Sequence, residues 1–322
     1  MKPELLVDGL NVFMRHFAAN PSRSLNGNLC GGTLGFLKNI QHLVDKFNPG
    51  KITVVWEGGG SSRRRSIDKN YKNGRRPVKL NRYYAQEEIP DTSENRDNQL
   101  KVLIELLGMI PVTQIYLNDI EADDVIGYIS RYRNDHRDKI IVSSDKDYYQ
   151  LINENVKVWS PNQKKIINED IVLEKFGISP QNFCLTRCFS GDASDGIKGV
   201  RGAGFKVMAK RFPILATCND VFIDDIIKES KEQIQNNSKL KIYREIVDSE
   251  FELKKNWKLM YLDVVSIGAD KIKSINYQYE KKENLENKFA IMKVLLREGL
   301  SQFDIHTFYL SIKSLSRSLN EY

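Results

Sequence analysis

Histidine is scarce in this chain: four among 322 residues, at His16, His42, His136 and His306, too scattered to suggest a catalytic base. Cysteine is as sparse, and Cys30, Cys184, Cys188 and Cys218 form no C-x-x-C pair and have no neighbouring histidine. Neither a zinc site nor a disulfide framework is indicated, which leaves buried free thiols in a reducing compartment as the expectation. No apolar run approaches the roughly 20 residues that a bilayer span requires. The chain enters Leu5-Leu6-Val7 almost at once, without the apolar stretch of a secretory signal. A cytoplasmic protein with no membrane attachment is therefore expected. Internal repeats and low-complexity blocks are also missing.

What is present suits a large core. Hydrophobic residues make up 41% and charged residues 28%, a globular composition. The length favours one large and one smaller domain, or one elaborated domain. Forty-nine basic against 42 acidic residues give a net charge of +7, which points to a polyanionic partner. Charge placement says more than the total: Arg63 to Arg82 contains nine Lys or Arg against one acid, Asp68.

Short β-branched runs read as buried strands at Glu4 to Gly9, Lys51 to Glu57, Pro111 to Leu117, Lys139-Ile140-Ile141-Val142 and Val156-Lys157-Val158-Trp159. Helical apolar spacing covers Thr33 to Phe47, closing at Asn48-Pro49-Gly50. It also covers Thr92 to Gly108, with Leu100, Leu103, Ile104 and Leu107 on one face. Gly58-Gly59-Gly60-Ser61-Ser62 reads as a flexible hinge. Glu121-Ala122-Asp123-Asp124 opens another helix, and the pattern beyond Glu169 is helical to the end. Strands alternating with helices make an α/β sheet covered on both faces.

Acids gather at the carboxyl ends of these strands: Asp8, Glu57, Asp145 and Asp147, with Glu121, Asp123 and Asp124 at a helix start. Open α/β sheets place ligands at that edge. Like charges there repel unless a cation or proton lies between them. With no cysteine or histidine nearby, the cation would be Mg²⁺ or Mn²⁺. The structural alternatives stay open: Asp147 fits a helix N-cap, and Glu121 and Asp124 fit a first helical turn. A second motif is Gly191-Asp192-Ala193-Ser194-Asp195, followed by Gly199-Val200-Arg201-Gly202-Ala203-Gly204 and a helix carrying Lys206, Lys210 and Arg211. Glycines let backbone amides approach phosphates closely, as a helix N-terminus also does.

Asp8-Gly9, Glu121-Ala122-Asp123-Asp124, Ser144-Asp145-Lys146-Asp147 and Gly191-Asp192-Ala193-Ser194-Asp195 with Gly199, Gly202 and Gly204 together resemble the flap endonuclease/5′→3′ exonuclease superfamily. Within it, the replication 5′ nucleases of T-even-type phages, which have ribonuclease H activity, are the most similar in detail. The resemblance implies a PIN-like mixed central sheet flanked by helices over about 1–165, with a helical arch over about 58–95. It also implies a helical region over 166–322 with a helix–hairpin–helix-type module at about 185–212. Asp8, Glu121, Asp123 and Asp145 would hold one Mg²⁺. Asp147, Asp192 and Asp195 would hold or orient a second, with Asp124 just outside. Lys72 matches the arch lysine and Tyr71 its aromatic neighbour, and Lys72 and Arg75 would neutralise charge on the phosphate. Arg63, Arg64, Arg65 and Arg75 would line the passage for a 5′ strand. Gly202, Gly204, Lys206 and Lys210 would grip duplex DNA, with K⁺ at the glycine turn. Glu57 departs from the family, which usually has aspartate there.

The implied activity is two-metal hydrolysis of RNA–DNA hybrids, flaps or nicked DNA, serving primer removal in phage replication by a monomer. The rival readings are a PIN-type single-stranded ribonuclease and a catalytically silent branched-DNA-binding protein. Gln302-Phe303-Asp304-Ile305-His306-Thr307-Phe308-Tyr309 fits a sliding-clamp ligand, or else the buried face of a C-terminal helix. A clamp or a single-strand-binding protein would accordingly be a partner.

Overall fold

The computed structural model describes residues 1–74, 93–133, 136–281 and 287–319. Six strands form one mixed sheet: β1 (Glu4–Asp8), β2 (Lys51–Trp56), β3 (Thr113–Tyr116), β4 (Lys139–Val142), β5 (Val156–Ser160) and β6 (Lys165–Ile167). Their spatial order is β3-β2-β1-β4-β5-β6, and every pairing is parallel except β5 with β6. The short antiparallel β6 is not signalled by the sequence pattern. β1 lies between β2 and β4, so the chain fills one half of the sheet, then crosses β1 to fill the other. That reversal opens a crevice at the carboxyl ends of β1 and β4, where such sheets bind ligands.

Period-two alternation sends β1 side chains into two cores. Leu5 and Val7 pack with α1 (Gly9–Ala19), α2 (Gly31–Phe47) and α4 (Ser93–Leu107); Leu6 faces α5 (Ala122–Tyr132) and α12 (Ala269–Glu280). α2 stops at Asn48, whose φ of 44° is left-handed. On α4, Leu103, Leu106 and Leu107 face inward and Ile104 is exposed, because Leu106 takes the inner place that the expected stripe gave to Ile104. Gly58 is buried and pinned: its N–H donates to Ile120 O at 3.3 Å, and a Cβ there would meet Leu117 O. The stretch expected to be a hinge therefore begins with a fixed residue. It ends with Ser61 capping α3 (Ser62–Ile67).

Beyond β6 the chain is helical. α6 (Glu169–Phe176), α7 (Phe183–Ser190) and α8 (Phe205–Arg211) meet over Phe176, Phe183 and Phe205, whose ring centroids lie 5.0 to 5.2 Å apart. α9 (Ile223–Gln235), α10 (Lys241–Asp248) and α11 (Glu250–Met260) complete this module. The packing then crosses the expected boundary near residue 165. Ile291, Val294 and Leu295 of α13 (Lys288–Arg297) and Phe308, Ile312 and Leu315 of α14 (Ile305–Leu319) share the core that contains Leu5 and Phe36. Phe303 and Phe308 are buried and Tyr309 is half-buried, so Phe308 of the clamp-like motif lies on the inner face of the last helix. Among the described residues, no helix is long and apolar enough to cross a membrane.

Candidate metal centre

Asp8 ends β1 and caps α1, its Oδ1 accepting from Asn11 N at 3.1 Å. Its Oδ2 accepts from Ser143 Oγ and Tyr148 Oη, each at 3.1 Å. Burial pushes the Asp8 carboxyl up to about 7; the Asn11 amide opposes this, and the charge of Asp145 adds to it. Three residues beyond β4, Asp145 caps a 3-10 turn (Lys146–Leu151), accepting from Asp147 N at 2.9 Å. The cap is thus Asp145, not Asp147. Burial raises the pKa of Asp145, the amide of Asp147 lowers it, and Asp123 and Asp195 raise it further.

The helix that opens with Glu121 supplies the other wall. Glu121 Oε2 accepts from Lys72 Nζ at 2.6 Å, Arg64 Nη1 at 2.8 Å and Tyr71 Oη at 3.0 Å. Arg64 also takes both oxygens of Asp124 at 2.8 Å, and its Nε donates to Leu259 O at 2.8 Å. Its side chain is 1% exposed. Arg64 therefore does not line a surface passage. It is the internal counter-charge of the Glu-Ala-Asp-Asp helix, since one turn of α3 carries it inward while Arg63 and Arg65 stay exposed. Burial raises Asp123, but Arg64 and Lys72 more than offset this, so its pKa is lowered.

A cavity of about 190 Å³ gathers Asp8, Glu57, Glu121, Asp123, Asp145 and Lys72, with Asn11 and Tyr148. Asp124 is not on its wall; it faces Arg64. Asp147 and Asp192 meet instead at Arg187 of α7, whose Nη2 lies 2.6 Å from each. Burial pushes Asp147 up to about 7, the charge of Asp145 adds to this and Arg187 opposes it. Asp192 is lowered despite burial, because Ser194 and Arg187 hold its charged form. Asp195 is buried, and its carbonyl accepts from Lys72 N at 3.0 Å. That bond joins the two groups of acids. Arg187, Asn11, Ser143 and Tyr148 escaped the sequence reading. Only Arg187 left a signal, a cation one helical turn before Gly191-Asp192.

Gly191 and Gly199 meet back to back: Gly191 has φ 74°, and a Cβ on it would lie 2.3 Å from Gly199 N. Gly202 is left-handed at φ 82° and Gly204 caps α8, both exposed beside exposed Lys206 and Lys210. Arg75 lies outside the described residues.

As they stand, no three acidic, histidine or cysteine side chains among the described residues close around one point; Arg64, Lys72 and Arg187 each pair with some of the acids. The donor set still fits a hard divalent cation. It is all oxygen, and Glu121 Oε1 is buried with no hydrogen-bond partner, a cost that a coordinated cation would remove.

A family model described as 5′-3′ exonuclease, N-terminal resolvase-like domain, matches residues 3–177. A 5′-3′ exonuclease of Buchnera aphidicola subsp. Acyrthosiphon pisum is 31% identical over 207 residues, covering 63% of this chain and 68% of that protein. The flap endonuclease Xni of Shewanella woodyi is 26% identical over 223 residues, covering 69% of this chain and 81% of that one. Among solved structures, a bacteriophage T5 flap endonuclease, in a pseudo-enzyme-product complex with DNA and metal ions, superposes with a TM-score of 0.68 at 22% identity. It covers 86% of this chain and 98% of its own. At that identity the likeness shows the fold.

Proposed function

The chain belongs to the 5′-3′ exonuclease family of hydrolytic nucleases, and from that premise we propose a divalent-metal-dependent 5′ nuclease acting on flaps, nicks and RNA–DNA hybrids, with primer removal in phage DNA replication as its role. The observation that carries the proposal is the convergence of Asp8, Glu57, Glu121, Asp123 and Asp145 on one cavity bordered by Lys72. Those five acids would hold one Mg²⁺ or Mn²⁺, and Asp147, Asp192 and Asp195 a second. When bound, the ions would supply Lewis acidity, lowering the pKa of water so that hydroxide is available to attack phosphorus and offsetting charge on the leaving 3′ oxygen.

The chain's own residues do the rest. Lys72 is held by Glu121 and lies over the Tyr71 ring, 5.0 Å from its centroid. That fixes its ammonium beside the place where a scissile phosphate would gain charge. Exposed Arg63 and Arg65 flank the approach and would draw in a 5′ strand. Gly202 and Gly204 leave backbone amides accessible, and Lys206 and Lys210 stand next to them. Together these would hold the duplex by its phosphates, with K⁺ at the turn. This module and the full set of acids favour the 5′ nuclease over a PIN-type ribonuclease or a silent binder.

Asp145→Asn tests the reading. With Mg²⁺, cleavage of a 5′-labelled RNA–DNA hybrid and of a 5′-flap DNA should fall by about 10³-fold or more, since ionised ligands are what such catalysis needs. Binding of the flap DNA in gel shift should persist. Full cleavage by Asp145→Asn would end the assignment.

A further inference from the structure

Two of the three acids expected to serve a second ion already hold a cation. Asp147, on the turn after β4, and Asp192, just past α7, are both bound by the same nitrogen of Arg187, Nη2, at 2.6 Å. The three side chains are 12 to 16% exposed. Asp192 is fixed further by Ser194, whose N–H and Oγ donate to Oδ1 at 2.8 and 2.6 Å. The Nε of Arg187 is buried with no hydrogen-bond partner. A donor stranded in this way costs roughly 1–3 kcal/mol, so the guanidinium is seated by its charge and not by a satisfied set of bonds.

Arg64 makes the contrast plain. Both of its Nη atoms and its Nε are bonded, one of them to a backbone carbonyl of α11. Arg64 is a fixed part of the wall. Among the described residues the guanidinium of Arg187 bonds only the two acids, and its side chain is 15% exposed, which leaves it a route outward. It also stands where an ion bridging Asp147 and Asp192 would have to sit, since Mg²⁺ needs carboxylate oxygens at about 2.0–2.1 Å. Among the described residues its ion pairs are with Asp147 and Asp192, and its charge also acts on Asp145.

We propose that Arg187 is a built-in counter-ion that stands in for the second divalent cation and competes with it. The first ion, in the cavity of Asp8, Glu57, Glu121, Asp123 and Asp145, meets Lys72 and Arg64 on Glu121 and has no competitor in Arg187. The second binds only after Arg187 has swung off Asp147 and Asp192, so its affinity is reduced by the fraction of time that the seat stands open. A seat open about one-tenth of the time weakens the apparent constant about tenfold. The acids are thereby kept neutralised and close together in the ion-free protein. This inference rests on the divalent-ion reading of the site.

Titration of the full chain with Mn²⁺ alone, followed by calorimetry and by the electron paramagnetic resonance of unbound Mn²⁺, tests it without any turnover. The wild type should bind two ions with unequal constants. Arg187→Gln should leave the stronger constant within about twofold and tighten the weaker by about tenfold. Arg187→Lys, which keeps one charge but cannot span both acids, should fall between them and serves if Arg187→Gln does not fold. In ion-free buffer Arg187→Gln should melt below the wild type, and Mn²⁺ should raise its melting temperature by more. A second constant that is unchanged or weakened in both variants overturns the proposal while leaving the metal-dependent reading intact. A wild type that binds no Mn²⁺ removes both.

Discussion

At residue 57 the family pattern expects an aspartate, and the glutamate found there sits on the wall of the acid cavity, half-buried. One extra methylene moves its carboxylate along the wall without removing it. Glu57→Asp should therefore lower both Mn²⁺ affinity and single-turnover flap cleavage about tenfold, and Glu57→Ala by about a hundredfold, the range found for groups that orient a metal. Calorimetry and quenched-flow cleavage would measure the two, and an unaffected Glu57→Ala would strike Glu57 from the ligand set. The acids themselves were legible, because a carboxylate that ends a buried strand is conspicuous in sequence. Their partners were not. Nothing in Arg63-Arg64-Arg65 tells which of three identical residues turns inward; the phase of α3, set by the Ser61 cap, decides it.

At the level of elements, the Gly191–Gly204 connection is held by close backbone approach. Val200 N donates to Phe189 O at 2.7 Å, and Asp192 and Ile197 exchange two backbone bonds at 2.8 Å. Gly191 has φ 74° and no room for a Cβ against the backbone of Gly199. Gly191→Ala should destabilise the protein by about 2 kcal/mol or more, read as a lower denaturant midpoint with an unchanged slope. Gly202→Ala, at φ 82° but with nothing within 4 Å of the added atom, should cost less. The periodic helices could be read from sequence to within a few residues, as α2 shows. β6 could not, since a three-residue strand carries no pattern. Ile104 was misplaced because two inward stripes were equally compatible with the spacing of α4.

Across the whole molecule, the acids that face one another give an unusual pH dependence. Asp8 and Asp147 are both pushed up to about 7, chiefly by burial. Between their ordinary carboxylate values and about 7, the folded chain holds protons that the unfolded chain has released. The contribution of these two acids to stability then falls as pH rises through that window. The melting temperature of the ion-free protein should decline from pH 5 to pH 8, and Mg²⁺ should raise it more at pH 8 than at pH 5, because the ion replaces those protons. A metal-free melting temperature that rises steadily over that range would contradict this account. The sequence by itself determined the alternation of strands and helices, the acids at the strand ends and the glycine-framed turn, since each is written in local periodicity or in the chemistry of neighbouring residues. Only the tertiary structure decided that β1 would lie between β2 and β4, that α13 and α14 would return to the first core, and that Arg64 and Arg187 would stand among the carboxylates. Those outcomes depend on contacts between residues far apart in the chain, where burial and charge act through space and leave no local pattern to read.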